Sequence, residues 1–83
     1  MKELRDEIDK IDVQIVSLFN QRMEIAGQIA LEKQKNGLPV ENSAREAEVL
    51  ANVASMAEQK EYCKKVYHTI LEVSKEYQRE LIK

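Results

Sequence analysis

The chain has 83 residues, of which 34% are charged and 43% apolar, and its formal net charge at pH 7 is −2. This length allows a single domain, residues 1–83, and the composition excludes a disordered chain and any general electrostatic attraction to nucleic acid or an anionic membrane. One cysteine and one histidine exclude an intrachain disulfide and the usual zinc site.

The scarcity of helix breakers and strand formers predicts an all-α fold. The chain holds two glycines, one proline, one phenylalanine and three tyrosines. Its N-terminus is charged from the first residues, and no apolar run approaches the about 20 residues that a membrane span needs. We therefore expect a cytoplasmic protein without a signal peptide.

The first predicted helix runs from about Lys2 to about Lys35, and no proline interrupts it. Its apolar residues recur in steps of four and three, which marks one face of a helix. This apolar seam consists of Leu4, Ile8, Ile11, Ile15, Leu18, Ile25 and Ile29. Arg22 occupies a position where the same steps predict another apolar residue. Lys33 follows eleven residues later, about 20° from the same face.

A loop and a second helix are predicted next. The segment QKNGLPVE, residues 34–41, contains Asn-Gly and a proline, which mark a loop. The second helix is expected to begin at Asn42 or Ser43, with Ser43 as the N-cap and Glu46 as its capping-box partner, and to end near Gln59. Glu46 is also expected to face inward. The apolar residues expected to face inward with it are Val49, Leu50, Val53 and Met56.

The third predicted helix runs from about Glu61 to the end of the chain. Its apolar side chains recur at helical spacing, at Tyr62, Val66, Tyr67, Ile70, Val73, Tyr77 and Leu81. Ser74 and Gln78 interrupt the apolar row that contains Ile70, one turn apart. Polar side chains are therefore expected on the inward face of all three helices.

The length of the first helix predicts a homodimer. Its 34 residues make a rod of about 50 Å, whereas a compact chain of this size has a radius of gyration of about 12 Å. The second and third helices are too short to cover the whole apolar seam, and a second copy of the chain is the simplest cover. We expect two copies to pack their first helices side by side in an intertwined helical homodimer.

The inward polar side chains predict a pocket for a small anion. One buried polar residue usually pairs within the protein, so Arg22 alone could simply pair with Glu46. The set as a whole contains three cations, Arg22, Lys33 and Arg45, against that one inward carboxylate. Because unpaired buried charge is costly, the surplus favours a negatively charged ligand enclosed in a helical bundle.

Arg5 lies 17 residues before Arg22, which places it about 25 Å away along the helix and about 100° around it. It therefore cannot join the pocket of Arg22 in the same chain. An antiparallel or crossed first helix of a second copy could bring the partner's Arg5 there. The alternative is a solvated surface residue near a helix end.

Several stretches of the chain, in order, resemble the all-helical chorismate mutase family. They are LRDEIDKIDVQIVSLFNQR (residues 4–22), Lys33, Pro39-Val40, Arg45-Glu46 and ILEVSKEYQ (residues 70–78). The resemblance covers nearly the whole chain. It implies an intertwined dimer of three-helix chains with two active sites. It also implies an isomerase of the shikimate pathway, in aromatic amino acid biosynthesis, that rearranges chorismate to prephenate.

The resemblance implies that Arg22 and the partner's Arg5 bind the two carboxylates of chorismate. It also implies that Lys33 and Gln78 donate hydrogen bonds to the ether oxygen of the breaking bond. The implied reaction is unimolecular and needs no cofactor, metal or nucleophile. The protein would hold a flexible dianion in its reactive shape and stabilise the negative charge that grows on the ether oxygen.

On the second and third helices, the resemblance implies that Glu46 holds the ring hydroxyl and that Arg45 and Ser74 line the site, Ser74 near the ring carboxylate. One residue departs from the pattern, because the family usually has Asp three residues before the Arg-Glu pair and this chain has Asn42. An amide oxygen accepts a hydrogen bond but carries no charge. Asn42 is therefore expected either to contact the substrate or to serve only as a helix cap.

Two other functions stay open at this stage. An isochorismate pyruvate lyase would use the same scaffold and overlapping pocket residues, and it would eliminate pyruvate instead of rearranging its substrate. A non-catalytic dimeric helical module, regulatory or RNA-binding, is the alternative from another class. The net charge of −2 without a basic stripe disfavours RNA.

Overall fold

The computed structural model describes residues 1–83 and contains three α-helices and no strand: α1 (Lys2–Lys35), α2 (Ser43–Met56) and α3 (Lys60–Leu81). The predicted all-α fold with one very long N-terminal helix is confirmed. The third helix begins one residue earlier than expected, and the second ends at Met56 rather than near Gln59.

The shape of the chain follows from the length of α1. Its longest dimension is 51 Å, which is the length expected for a 34-residue helix. The radius of gyration is 15.3 Å, larger than the about 12 Å of a compact chain of this size. One half of α1 therefore extends beyond the part of the fold that α2 and α3 cover.

Small residues allow α3 to approach α1 closely. Ala26, Gly27 and Ala30 are buried on α1, and Ala30 has no exposed surface. A Cβ atom at Gly27 would lie 3.3 Å from side-chain atoms of both Tyr77 and Leu81. This distance leaves no room for a larger side chain unless its neighbours move, so the glycine permits the close helix contact.

The two helices α1 and α3 run in the same direction. Further along both of them, the Gln34 side-chain amide donates a hydrogen bond to the Ile82 carbonyl at 3.1 Å. Helix α3 also packs against α2, whereas α1 and α2 do not pack against each other. The C-terminal half of α3 therefore forms the floor between α1 and α2, and its buried residues Leu71, Ser74, Lys75 and Gln78 lie there.

The turn after α1 directs the chain back toward α2. Gly37 has a φ of +70°, which a glycine adopts at little cost. The backbone N–H groups of Gly37 and Leu38 donate to the carbonyls of Gln34 and Lys33, at 3.2 and 2.8 Å, and thereby satisfy the last carbonyls of the helix. The predicted loop at Asn36-Gly37 is confirmed.

Most of the apolar seam of α1 is uncovered in the single chain. Every residue before Arg22 is exposed, and the first five members of the seam each expose more than half of their surface. Beside them lies an apolar cleft of about 330 Å³, lined by Ile15, Leu18, Phe19, Arg22, Val66, Tyr67 and Ile70. The tertiary core of one chain is correspondingly small.

The predicted inward position of Met56 is wrong. Its side chain is 78% exposed, whereas Val49, Leu50 and Val53 are half-buried as expected. Helix α2 ends at Met56, and the backbone of Ala57 is already extended. Val53, Ala54 and Ala57 on either side of it are half-buried, so Met56 lies off the face of α2 that packs against α3.

Candidate functional site

The three helices enclose a cavity of about 300 Å³ that contains most of the polar residues singled out in the sequence. Helix α1 supplies one wall, the loop before α2 and the first turns of α2 supply the opposite wall, and α3 supplies the floor. The lining residues are Arg22, Ile25, Ala26, Ile29, Lys33, Val40, Asn42, Arg45, Glu46, Val49, Leu71, Ser74, Lys75 and Gln78. All predicted pocket residues except Arg5 lie around this one space.

Arg22 and Lys33 are the cations that α1 contributes, and both are half-buried. The Lys33 ammonium donates a hydrogen bond to the Val40 carbonyl at 2.7 Å. This bond uses one of its three hydrogens and attaches the loop to α1. Neither cation lies within ion-pair distance of a carboxylate. Arg22 also makes no side-chain hydrogen bond, so its whole guanidinium fork is available.

The start of α2 differs from the predicted capping box. Asn42, not Ser43, is the N-cap, and its side-chain oxygen accepts a hydrogen bond from the backbone N–H of Arg45 at 3.1 Å. Asparagine caps helices as well as serine does, and its use makes Ser43 the first helical residue. The Glu46 carboxylate does not bond back to the cap but contacts α3 instead. Asn42 therefore caps the helix, and since it also lines the cavity, its contact with a substrate stays a prediction.

Arg45 does not belong to the buried cations, contrary to the sequence prediction. It lines the rim of the cavity, but its side chain is 60% exposed and forms an ion pair with Glu48 on the same helix. Three residues of separation bring the two side chains together on the solvent side of α2, where Arg45 remains hydrated. The unmatched cations are thus Arg22 and Lys33 alone.

Ser74 and Gln78 face inward, as predicted, with 4% and 8% of their surface exposed. The Gln78 side-chain nitrogen donates to the Ser74 hydroxyl oxygen at 3.0 Å, one turn away on α3. One hydrogen of this nitrogen remains unused, and the Gln78 side-chain oxygen is buried without a hydrogen-bond partner. The floor of the cavity therefore holds a fixed amide with unused hydrogen-bonding capacity.

Lys75 is a cavity residue that was not predicted from the sequence. Its side chain is 10% exposed, and its ammonium lies 2.9 Å from Glu72, 3.0 Å from Glu41 and 3.1 Å from Glu46. The three carboxylates, that of Glu72 first, raise the pKa of Lys75 above its usual range. The same contact with Lys75 lowers the pKa of Glu72.

A signal for Lys75 was present in the sequence. Leu71, Ser74, Lys75 and Gln78 follow the i, i+3, i+4, i+7 spacing of one helix face, and all four are buried. The apolar row through Ile70 leads to Ser74 and Gln78 and does not include the lysine beside it.

Arg5 lies apart from the cavity. It is exposed, in the first turns of α1, and makes no side-chain hydrogen bond or ion pair within the chain. This position agrees with the expectation that a chain cannot bring its own Arg5 to Arg22.

The fold and the site together define an all-helical domain with a small cavity, two cations without acidic partners and fixed polar groups opposite them. The model of a protein family described as chorismate mutase type II matches residues 4–79. The chain therefore belongs to the chorismate mutase type II family, and the resemblance found in its motifs is confirmed.

Individual relatives match over shorter segments. The chain is 42% identical over 53 residues to a bifunctional chorismate mutase/prephenate dehydratase of Aquifex aeolicus (strain VF5), which covers 64% of this chain and 15% of that protein. It is 38% identical over 50 residues to a T-protein of Haemophilus influenzae, which covers 60% of this chain and 13% of that protein.

A T-protein of Enterobacter agglomerans is 36% identical over 55 residues, which covers 66% of this chain and 15% of that protein. The matched segment thus spans about one seventh of each curated relative. No solved structure matches the chain.

Proposed function

We propose that this chain is a chorismate mutase, an isomerase that rearranges chorismate to prephenate in the cavity between its three helices. The observation that carries the proposal is that Arg22 and Lys33 line this cavity without any acidic partner. Two unmatched positive charges balance a substrate with two negative charges. Membership in the chorismate mutase type II family supports the same reaction.

Arg22 is proposed to bind a carboxylate of the substrate. Its guanidinium has no hydrogen-bond partner in the chain, and a planar fork of donors matches a carboxylate in two parallel hydrogen bonds. Such contacts restrict a flexible dianion to the compact shape from which it reacts, which lowers the entropic part of the barrier.

Lys33 and Gln78 are proposed to stabilise the charge that develops on the ether oxygen. The reaction breaks one C–O bond and forms one C–C bond within a single molecule, so the protein transfers no atom and no proton. Each residue has hydrogen-bond donors left unused by its contacts within the chain. Donors held in place before the reaction stabilise the transition state without further reorganisation.

The remaining cavity residues are proposed to surround the ring of the substrate. One oxygen of the Glu46 carboxylate is buried without a partner and can accept a hydrogen bond from the ring hydroxyl. Ser74 lies beside Gln78, where it can face the ring carboxylate. Arg45 and Asn42 line the rim, and Arg45 can turn from Glu48 toward a bound anion.

A homodimer is proposed to complete the site. Single-chain α1 exposes its apolar seam and the apolar cleft beside it, which a second copy of α1 would cover. Arg22 lines both this cleft and the polar cavity, so the two spaces meet at Arg22. A partner helix in the cleft would therefore pass next to the site, and the partner's Arg5 is proposed to bind the second carboxylate.

One structural observation bears on the location of the protein. None of the three helices combines the length and the apolar character that crossing a membrane requires. The cytoplasmic location stays a prediction, in agreement with a small, charged substrate.

The proposed function is tested by incubating the purified chain separately with chorismate and with isochorismate and by measuring prephenate and pyruvate. We expect prephenate from chorismate and no pyruvate from either compound. Pyruvate from isochorismate would identify a lyase instead. If neither compound is consumed and a transition-state mimic of the rearrangement does not bind, the chain is a non-catalytic module.

A further inference from the structure

Lys75 lines the cavity, yet the proposed function gives it no contact with the substrate. Its ammonium carries three hydrogens, and three carboxylate oxygens lie within 3.1 Å of it, from Glu41, Glu46 and Glu72. The acceptors within the chain thus equal its donors in number. All three contacts are ion pairs that hold the ammonium in place, and the contact with Glu41 also has the geometry of a hydrogen bond.

Glu46 is the member of this cluster that also lines the cavity. Its Oε1 atom contacts the Lys75 ammonium, whereas its Oε2 atom is buried and has no hydrogen-bond partner. A buried acceptor without a donor is unfavourable, and a donor from a ligand removes this cost. The two oxygens of one carboxylate thus have different surroundings, one fixed by Lys75 and one free.

The cluster also connects three segments of the fold. Glu41 belongs to the loop before α2, Glu46 to the first turn of α2, and Glu72 to α3, as does Lys75 itself. The loop is held a second time at the neighbouring residue, where the Val40 carbonyl accepts a hydrogen bond from Lys33. One lysine on each side thus fixes adjacent residues of the cavity wall.

We propose that Lys75 is a positioning residue that holds the Glu46 carboxylate with one oxygen free to accept a hydrogen bond from the hydroxyl of the substrate. This inference rests on the proposed function, because it assigns the free oxygen to the ring hydroxyl of chorismate. Lys75 acts only through Glu46 and does not contact the substrate. Loss of the Lys75 side chain should therefore lower kcat/KM only when both Glu46 and the substrate hydroxyl are present.

A double-mutant cycle tests this dependence. The variants are Lys75→Met, Glu46→Gln and the double variant, with kcat/KM for chorismate as the measurement. We expect Lys75→Met to lower kcat/KM about 10-fold in the wild-type background, and less than about twofold in the Glu46→Gln background. An equal loss in both backgrounds would show that Lys75 acts independently of Glu46 and would overturn the inference.

A chorismate analogue without the ring hydroxyl provides the second measurement. Wild type and Lys75→Met should convert it with the same kcat/KM, because the hydrogen bond to Glu46 is absent in both. A persistent 10-fold difference would contradict the proposed role. Lys75→Gln, which keeps a shorter neutral donor, replaces Lys75→Met in both measurements if circular dichroism shows that the methionine variant is unfolded.

Lys64→Met is the matched control, since Lys64 pairs with Glu61 three residues before it on α3, as Lys75 does with Glu72, but lies on the surface. It should leave kcat/KM unchanged with both substrates. If wild type itself does not convert chorismate, the proposed function fails and this inference fails with it. If wild type is active and Lys75→Met is equally active, only the role of Lys75 is refuted.

Discussion

The charged residues of the cavity differ in whether the chain itself neutralises them. Arg45 has Glu48, and Lys75 has three carboxylates, whereas Arg22 and Lys33 have none. Arg22 and Lys33 keep part of their surface exposed. A dianion bound between them would gain two ion pairs in a partly enclosed space, where such pairs are stronger than at the surface.

Replacement of Lys33 tests the contribution of a single donor. We expect Lys33→Ala to lower kcat by about 10²- to 10³-fold, because the loss of one fixed donor at a developing charge costs about 3 to 4 kcal/mol. Helix content measured by circular dichroism should not change. Lys35→Ala is the matched control, since Lys35 is exposed in the last turn of the same helix and does not line the cavity. Near-normal turnover of Lys33→Ala would mean that the ether oxygen is stabilised elsewhere.

The Lys75 cluster predicts the sign of one pH effect on stability. Contact with Lys75 holds the pKa of Glu72 below its ordinary value of 4.5. Such a group stabilises the fold above pH 4.5, and the contribution is lost as the pH falls through the lowered pKa. Thermal unfolding followed by circular dichroism should show a smaller acid-induced fall of Tm in Lys75→Met than in wild type. Identical falls in the two proteins would refute this linkage.

At the scale of the helices, one residue at the N-terminus of α2 both stabilises the helix and belongs to the candidate site. Asn42 caps the helix and lines the cavity, so it can serve either purpose. The capping hydrogen bond alone makes a measurable contribution to the free energy of unfolding. It satisfies one of the N–H groups that the first turn leaves without partners.

We expect Asn42→Ala to lower the free energy of unfolding by about 1 kcal/mol, since it removes the capping oxygen. Asn42→Asp should retain the cap and gain slightly from a negative charge at the helix N-terminus. Ser43→Ala is the control and should change stability little, because Ser43 is not the cap. Denaturant unfolding measures all three. A larger loss for Ser43→Ala than for Asn42→Ala would contradict the observed cap.

Much of the fold could be predicted from the sequence because its signals are local. The bounds of α1 follow from an uninterrupted apolar repeat, and the loop follows from Asn36-Gly37. The cap of α2 could not be predicted in the same way, since asparagine and serine in succession are equally suitable caps. The exposure of Met56 depends on which face of α2 packs against α3, which is a tertiary property that a repeat does not contain.

In the candidate site, too, local signals in the sequence predicted some residues, whereas others depend on tertiary packing. Arg22, Ser74 and Gln78 were found because each interrupts an apolar row, and they do face the cavity. Lys75 was missed because it lies beside that row, and its neutralisation requires Glu41, which is 34 residues away in the chain. The pairing of Arg45 with Glu48 follows from the exposure of both side chains on the same face of α2. Partners across helices are not visible in a one-dimensional pattern.

At the scale of the whole molecule, the uncovered face of α1 is the main feature that a single chain leaves unexplained. It carries large apolar residues along about half the length of the helix. Exposed apolar surface of this extent on a small protein is typical of an interface, which supports the proposed homodimer. A second copy also explains why Arg5 lies at the far end of α1 from the polar cavity.

A charge within this face should prevent dimerisation. Ile11 is 53% exposed and lines neither cavity, so Ile11→Glu should yield monomers and abolish turnover without touching the site of its own chain. Val13→Glu is the control, because Val13 lies on the opposite side of α1 and is 70% exposed. Sedimentation velocity gives the oligomeric state. A dimeric Ile11→Glu variant, or an active monomer, would contradict the proposed assembly.

The central claim is that one site uses Arg22 of one chain and Arg5 of the other, and mixing of two inactive variants tests it most directly. Arg5→Ala and Arg22→Ala should each be inactive. After subunit exchange in an equal mixture, half of the dimers are mixed, and each mixed dimer has one site with both arginines and one with neither. The account predicts recovery of about one quarter of wild-type activity. A mixture that remains inactive although mixed dimers have formed would contradict the claim.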